Sequence, residues 1–260
     1  LDRSALTKQQ RWELADKLAE DRLPLINAQL QEAVLNNNFY SKYGKRLLDI
    51  LVSGVALVVS LPINFIIGIG TFFDVGRPLF FKQVRTGKDG KSFTLIKFRN
   101  MKNTKDERGE LLPPDKRVTK FGRFVRKTSL DELLNFWSIF KGDMSLIGPR
   151  PLVPEYTHRL NKRHYGRLLV RPGLECPPRG DFEKWDWQDQ FDNDVWYVEN
   201  ISFKTDIKML MRLISFALDR EMSKKRGSAK KGIFMGYDLQ GEVITVSEIP
   251  DEYLRQLDEE

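Results

Sequence analysis

The 260-residue sequence has one cysteine, Cys176, and two histidines, His158 and His164. A single thiol excludes an intrachain disulfide and suits a reducing compartment, and a Cys–His nucleophile pair is not favoured with so few partners. Neither a GxxxxGK[ST] loop nor a GxGxxG turn occurs, so the common nucleotide-binding folds lack their phosphate-cradling turns. No internal repeat is present. A signal peptide is not expected at the first residues, because the strongest apolar run begins too late and is too long for one. Charge is missing altogether from residues 50–73, about two dozen positions, which is long enough to cross a hydrocarbon layer of roughly 30 Å.

That uncharged run has two readings. It is a single spanning helix, or it is a re-entrant one that turns at Pro62. Pro62 near its middle removes an N–H and is expected to kink or break the helix, leaving halves too short to span. Asn64 is placed to satisfy backbone groups freed there. Lys42, Lys45 and Arg46 precede the run, while Arg77, Lys82, Arg85 and Lys88 follow it. Positive charge on both flanks favours keeping both ends in the cytoplasm. The net charge of +7 points to partners that carry phosphate. The basic residues are dispersed and adjoin an apolar segment, so nucleic acid is not expected as a partner.

Four segments follow from composition. Residues 1–40 read as an accessory helical hairpin, broken at Pro24 with a second helix over 25–35, that packs on the body or on a second copy in a homodimer. Residues 41–74 are the membrane segment, 75–220 the catalytic domain, and 221–260 a basic loop followed by a small strand pair and an acidic end. Within the third segment, 79–84 and 92–98 read as strands of a hairpin turning at Gly87-Lys88-Asp89-Gly90. Residues 102–118 read as a loop. Residues 207–218 form an amphipathic helix with Lys204, Lys208 and Arg212 along one side, which fits an interfacial helix lying in the membrane plane or a plain core helix. The basic run 224–231 would lie against anionic lipid or form a loop. Trp185, Trp187, Trp196 and Tyr197, with Asp186, Asp189, Asp192 and Asp194, make an aromatic and acidic surface. It would stack a base and bind a ribose, or sit at the headgroup level.

The chemistry centres on Asp131 and Glu132. Ser129 and Glu132 have capping-box spacing, which predicts both carboxylates in a first helical turn, where exposed amides favour negative charge or a phosphate. Acidic residues there also serve simply to complement the helix dipole. Neighbouring positions on a helix diverge by about 100°, so the two cannot flank one bond as a glycosidase pair does. One attacking carboxylate beside one Mg²⁺-holding carboxylate fits adjacency. Lys97, Arg126 and Arg150 would neutralise a diphosphate, with Arg150 stiffened between Pro149 and Pro151.

The matching residues run in order: Lys45-Arg46-Leu47-Leu48-Asp49, Pro62, Ile96-Lys97-Phe98-Arg99-Asn100-Met101, Phe121-Gly122 through Arg126, and Ser129-Leu130-Asp131-Glu132-Leu133. The series continues with residues 141–151, Val170-Arg171-Pro172-Gly173 and Asp194-Val195-Trp196-Tyr197-Val198. Over about 43–214 the chain resembles the bacterial sugar transferases, the monotopic polyprenol-phosphate phosphoglycosyl transferases. The resemblance implies an α/β catalytic domain on the cytoplasmic face of the bacterial inner membrane, with a re-entrant helix kinked at Pro62 and interfacial amphipathic helices. It implies that Asp131 attacks the β-phosphate of a UDP-sugar and releases UMP. Undecaprenyl phosphate would then take the phosphosugar, starting surface glycan assembly. Glu132 would bind Mg²⁺, Lys97, Arg126 and Arg150 would hold phosphates, and Asp194 would be a nucleotide-side or a structural carboxylate. The chain departs from the family at Leu61, where many relatives have Ser, and at 174–180, where relatives carry a Thr-Gly-Trp-Ala-Gln type segment. A membrane-anchored scaffold that binds nucleotide-sugar or lipid without turnover is the alternative.

Overall fold

The computed structural model describes residues 3–107, 109, 111–179, 185–218 and 231–259. Its helices in chain order are α1 (Lys8–Gln29), α2 (Lys45–Val75), α3 (Pro114–Arg117), α4 (Lys120–Lys127), α5 (Asn135–Lys141), α6 (Lys162–Tyr165), α7 (Trp187–Glu199), α8 (Phe203–Leu218) and α9 (Asp251–Glu259). The strands are β1 (Phe80–Thr86), β2 (Ser92–Phe98), β3 (Ser145–Ile147), β4 (Gly173–Glu175), β5 (Phe234–Tyr237) and β6 (Val243–Thr245). Helices and strands are mixed as expected, but among the described residues no single sheet organises them. Three two-stranded sheets pair β1 with β2 antiparallel, β3 with β4 parallel, and β5 with β6 antiparallel. The β1–β2 hairpin turns at the expected place, with Asp89 at φ 55°, a left-handed conformation that Asp tolerates better than most residues. The loop of 102–118 holds α3 and two isolated bridges.

Helix α2 is inverted relative to a soluble helix. The face it buries is largely polar, with Lys45, Asp49, Ser53, Ser60 and Thr71 covered. Leu47, Leu51, Val55, Val58, Leu61, Phe65, Ile66 and Phe73 are exposed. It is the only helix among the described residues long and apolar enough to cross a membrane. Both of its ends are tied to the same domain. At the N-terminal end Asp49 Oδ1 accepts from Ser145 Oγ and the Leu146 N–H, each at 3.0 Å. Lys45 Nζ reaches Asp206 Oδ2 at 2.6 Å, and the hydroxyls of Tyr40 and Tyr197 donate to the same carboxylate. Further along, Gly54 lies against Phe140 and Gly70 against Phe121, where a methyl group would come within 2.4 Å of the ring. At the C-terminal end Ile67 packs with Phe98 and Val125, Thr119 donates to Asp74, and Arg99 caps the carbonyls of Val75 and Gly76.

Pro62 does not break α2; the helix runs through it from Lys45 to Val75. Packing along the whole buried face outweighs one lost backbone bond. Asn64 Nδ2 donates to Ser60 Oγ at 3.2 Å, and Ser60 Oγ donates to the Leu57 carbonyl. Asn64 thus reaches a side chain rather than a freed carbonyl. Pro24 likewise sits inside α1. Leu14, Leu18 and Ile26 are buried on either side of it, and the expected second helix over 25–35 is instead an extended connector from Leu30.

Residues of the first and last segments share one core. Leu6, Leu14, Ala15 and Leu18 pack with Met235, Ile244, Ile249, Tyr253 and Leu254. A second cluster joins Ile26 to Leu152, Leu160, Phe191, Phe234 and Tyr237. The main core joins Leu95 and Ile139 to Met144, Leu146 and Ile147 around β3, and to Tyr197, Val198, Ile201 and Met209 on α7 and α8.

Gly122 sets the approach of α4 to the chain leaving β2. A methyl group at this position would stand 2.1 Å from the Asn100 carbonyl oxygen, so α4 or the Asn100 segment would have to move. Gly122→Ala is therefore expected to destabilise the fold by about 1–3 kcal/mol, read as a lowered melting temperature of the detergent-solubilised chain.

Candidate active site

The Asp131–Glu132 pair is not at a capping box. Ser129 adopts φ 54°, ψ 21°, with no side-chain cap, and the carboxylates lie on a 3₁₀ turn, Leu130–Glu132, between α4 and α5. The left-handed Ser129 reverses the chain where α4 ends, and a non-glycine residue in that conformation carries backbone strain of the kind found at functional sites. The helical pattern read from the sequence begins only at Asn135, while reciprocal capping boxes occur elsewhere among the described residues, between Thr7 and Gln10, Asp186 and Asp189, and Thr245 and Glu248.

The turn points the two carboxylates at different partners. Asp131 is buried and accepts from Asn100 Nδ2 at 3.1 Å. Burial pushes its carboxyl above the ordinary aspartate value; the Lys97 charge opposes this and the neighbouring Glu132 adds to it. Glu132 goes the other way. Burial alone would raise its carboxyl, but the charges of Arg150 and Lys97 outweigh it and hold it below the ordinary value. Lys97 Nζ lies 2.7 Å from Glu132 Oε1, and Arg150 Nη2 reaches the same oxygen at 3.4 Å. Two adjacent acids thus sit in opposite protonation tendencies, which is how one site supplies two roles.

Lys97 and Arg150 therefore converge on the carboxylate turn as the sequence suggested. Arg126, exposed on the last turn of α4, acts on Asp131 through its charge, and its side chain makes no hydrogen bond among the described residues. Arg150 sits in the loop after β3, and its Nη1 lies 3.4 Å from Glu175 on β4. The loop is pinned from behind: Gly173 N–H donates to the Pro149 carbonyl at 3.0 Å, and Arg167 Nη2 donates to the Arg150 carbonyl at 2.8 Å.

Asp194 lies in the interior. It is 1% exposed and accepts from Arg167 Nε and Nη2 at 3.1 and 2.7 Å, so it reaches the site only through Arg167 and the Arg150 backbone. The aromatic and acidic surface is dispersed. Tyr197 is buried in the core, Trp187 packs with Phe191 and Phe234, and Trp185 and Trp187 both face the Lys231 ammonium. Cys176 is buried and its thiol is raised by that burial, while His164 bonds Tyr237 and Asp192, so no Cys–His pair forms. Of the basic run, Lys224 to Lys230 lie outside the described residues, as does Gly180 of the divergent loop.

Asn100 was not singled out from the sequence, although it lies three residues after Lys97. An amide beyond a strand end has no periodicity to mark it, and only the close approach at Gly122 brings it to Asp131. Asp49 and Asp206 were missed for a related reason: a single acid beside an apolar run reads as a boundary, not as a buried hub.

For a metal ion, no group of three His, Cys, Asp or Glu side chains converges among the described residues. Mg²⁺ takes one or two carboxylates together with substrate phosphate oxygens and water rather than an all-protein cage. Glu132, held ionised by its cations, could hold such an ion, and Asp131 stands next to it.

A family model described as bacterial sugar transferase matches residues 40–220. An uncharacterized sugar transferase, EpsL of Bacillus subtilis, is 42% identical over 171 residues, covering 64% of this chain and 83% of that protein. The undecaprenyl-phosphate galactose phosphotransferase of Salmonella typhimurium is 33% identical over 202 residues, 70% of this chain and 42% of its own length. The UDP-glucose:undecaprenyl-phosphate glucose-1-phosphate transferase of Klebsiella pneumoniae is 33% identical over 177 residues, 64% of this chain and 38% of its own. The chain thus spans less than half the length of these last two relatives.

Proposed function

The chain belongs to the bacterial sugar transferase family, and from that premise we propose that it transfers a phosphosugar from a UDP-sugar to undecaprenyl phosphate through a covalent intermediate on Asp131. The observation that carries the reading is the divergence of the two adjacent acids, Asp131 buried beside Asn100 and Glu132 held by Lys97 and Arg150.

In the first step an Asp131 carboxylate oxygen attacks the β-phosphorus of the donor. The bond from that phosphorus to the bridging oxygen breaks, and UMP leaves with the electron pair. In the second step a phosphate oxygen of undecaprenyl phosphate attacks the same phosphorus, and the aspartyl oxygen leaves as carboxylate. Asn100 orients Asp131 by donating to one carboxylate oxygen, leaving the other to react. Lys97, Arg150 and the nearby Arg126 charge stabilise the negative charge that spreads over the transferring phosphoryl oxygens. Mg²⁺ held by Glu132 would add to that stabilisation when bound.

The membrane setting is part of the proposal. We place α2 in the cytoplasmic leaflet of the inner membrane, entering and leaving on the same face. Two features support this: the exposed apolar side of α2, and the anchoring of both its ends and its midpoint on one domain. A helix crossing the bilayer could not hold that domain at both ends. Positive charge on both flanks agrees.

Incubation of the purified chain with a panel of UDP-sugars and Mg²⁺ is expected to release UMP from at least one donor; no UMP from any of them would sink the reading. The raised Asp131 carboxyl adds a pH signature, since the nucleophile must be ionised. On acidification kcat/KM for UMP release should fall through one ionisation lying above the ordinary aspartate value of about 3.9. A profile flat down to that value would contradict the assignment.

A further inference from the structure

On α8, apart from the carboxylate turn, a cleft of about 190 Å³ is walled by Arg179, Trp196, Lys204, Lys208 and Arg212, with the buried Met209 at its base. None of Lys97, Asp131, Glu132 and Arg150 lines it. Lys204, Lys208 and Arg212 recur every fourth residue and so stack along one side of the helix. Arg179 comes from the loop after β4, with its guanidinium 5.7 Å from the Trp196 ring centre. Among the described residues none of the four cations forms an ion pair with a carboxylate, and Arg212 donates to the Pro178 carbonyl. Four like charges around one small cleft repel each other, and an anion seated between them relieves that repulsion.

Size and surroundings narrow the anion. The volume lies below the ≈ 300 Å³ at which pockets for drug-sized ligands begin, so a nucleotide-sugar does not fit and a phosphate group does. One residue round the helix from the cationic row runs a second row, Phe203, Ile207, Met211 and Ile214, exposed at 56, 38, 61 and 46%. A phosphate in the cleft would have an apolar surface beside it for hydrocarbon to lie on.

We infer that this cleft binds the phosphate headgroup of an anionic membrane phospholipid, with its acyl chains along the Phe203–Ile214 row. The site goes beyond the transfer reaction and borrows from it only the membrane setting of α2. It would fix the rotation of α8 at the bilayer surface and thereby the height of the carboxylate turn above it.

The test is native mass spectrometry of the full chain in detergent, titrated with dioleoylphosphatidylglycerol or dioleoylphosphatidylcholine. One phosphatidylglycerol should be retained per chain, at least ten-fold in preference to phosphatidylcholine, and equimolar inorganic phosphate should not displace it. Lys204→Gln with Lys208→Gln removes two exposed basic contacts and should weaken retention by roughly thirty-fold, while Lys204→Arg with Lys208→Arg should keep it. Equal retention of the two lipids, unchanged retention in the double glutamine variant, displacement by inorganic phosphate, or equally tight competition by a polyprenyl phosphate would overturn the proposal. Run in an Asp131→Asn background, the same titration should give the same result, so failure of the transfer reaction and failure of this site remain distinguishable.

Discussion

Asp131→Asn is expected to reduce UMP release from every accepted donor by at least about 10³-fold, because the amide cannot form the phosphoryl ester on which both steps depend. Wild-type protein given donor but no acceptor should gain the mass of a phosphosugar on the peptide carrying Asp131, and the variant should gain none. The substitution also predicts a change in stability of the opposite sign. In the folded chain the Asp131 carboxyl is raised, chiefly by burial. The folded state therefore binds this proton more tightly than the unfolded state does. The resulting stabilisation is complete below the unfolded pKa and is lost as pH rises through the raised folded value. At pH 7.5 the ionised group is a net cost to folding, so Asp131→Asn should melt higher than wild type while losing activity. An inactive variant that melts lower would mean that the loss came from disrupted structure.

The second large effect lies behind Arg150. Arg167 and Asp194 are both buried, with side chains 1% exposed and 2.7 Å apart at closest. Arg167→Met leaves an uncompensated carboxylate in the interior and is expected to cost about 3–5 kcal/mol, a fall in melting temperature of about 10 °C for a chain of this size. Replacing both partners by apolar residues, Arg167→Met with Asp194→Leu, should recover most of that loss. It should not recover the hydrogen bond from Arg167 Nη2 to the Arg150 carbonyl. The double variant is therefore expected to melt near wild type but to show a raised KM for the UDP-sugar. If its KM is unchanged, Arg167 does not position Arg150 and the pair serves packing alone.

What the sequence disclosed depended on whether a local pattern carried the information. The β1–β2 hairpin was legible because its turn chemistry and flanking strands are contiguous. Lys97, Asp131, Glu132 and Arg150 were legible as a set because their ordered motifs resemble a known family, although their spacing alone left plain surface roles open. The conformation around them was not legible. The Ser129–Glu132 spacing matches a capping box, yet the left-handed Ser129 that the tertiary packing imposes produces a 3₁₀ turn instead. Local propensity opposes proline inside a helix, so Pro24 reads as a break and Pro62 as a kink or a break, yet each helix continues past its proline. In both helices burial on either side of the proline outweighs that preference. Asp194 was ambiguous because a buried partner 27 residues away leaves no trace in sequence spacing.

The core shared by residues 6–18 and 235–254 has a consequence for synthesis. As the chain leaves the ribosome, Leu14 and Leu18 emerge long before the strand and helix that cover them. Until Met235 and Tyr253 follow, that stripe must be shielded by a chaperone, by the bilayer in which α2 is proposed to lie, or by a neighbouring nascent chain.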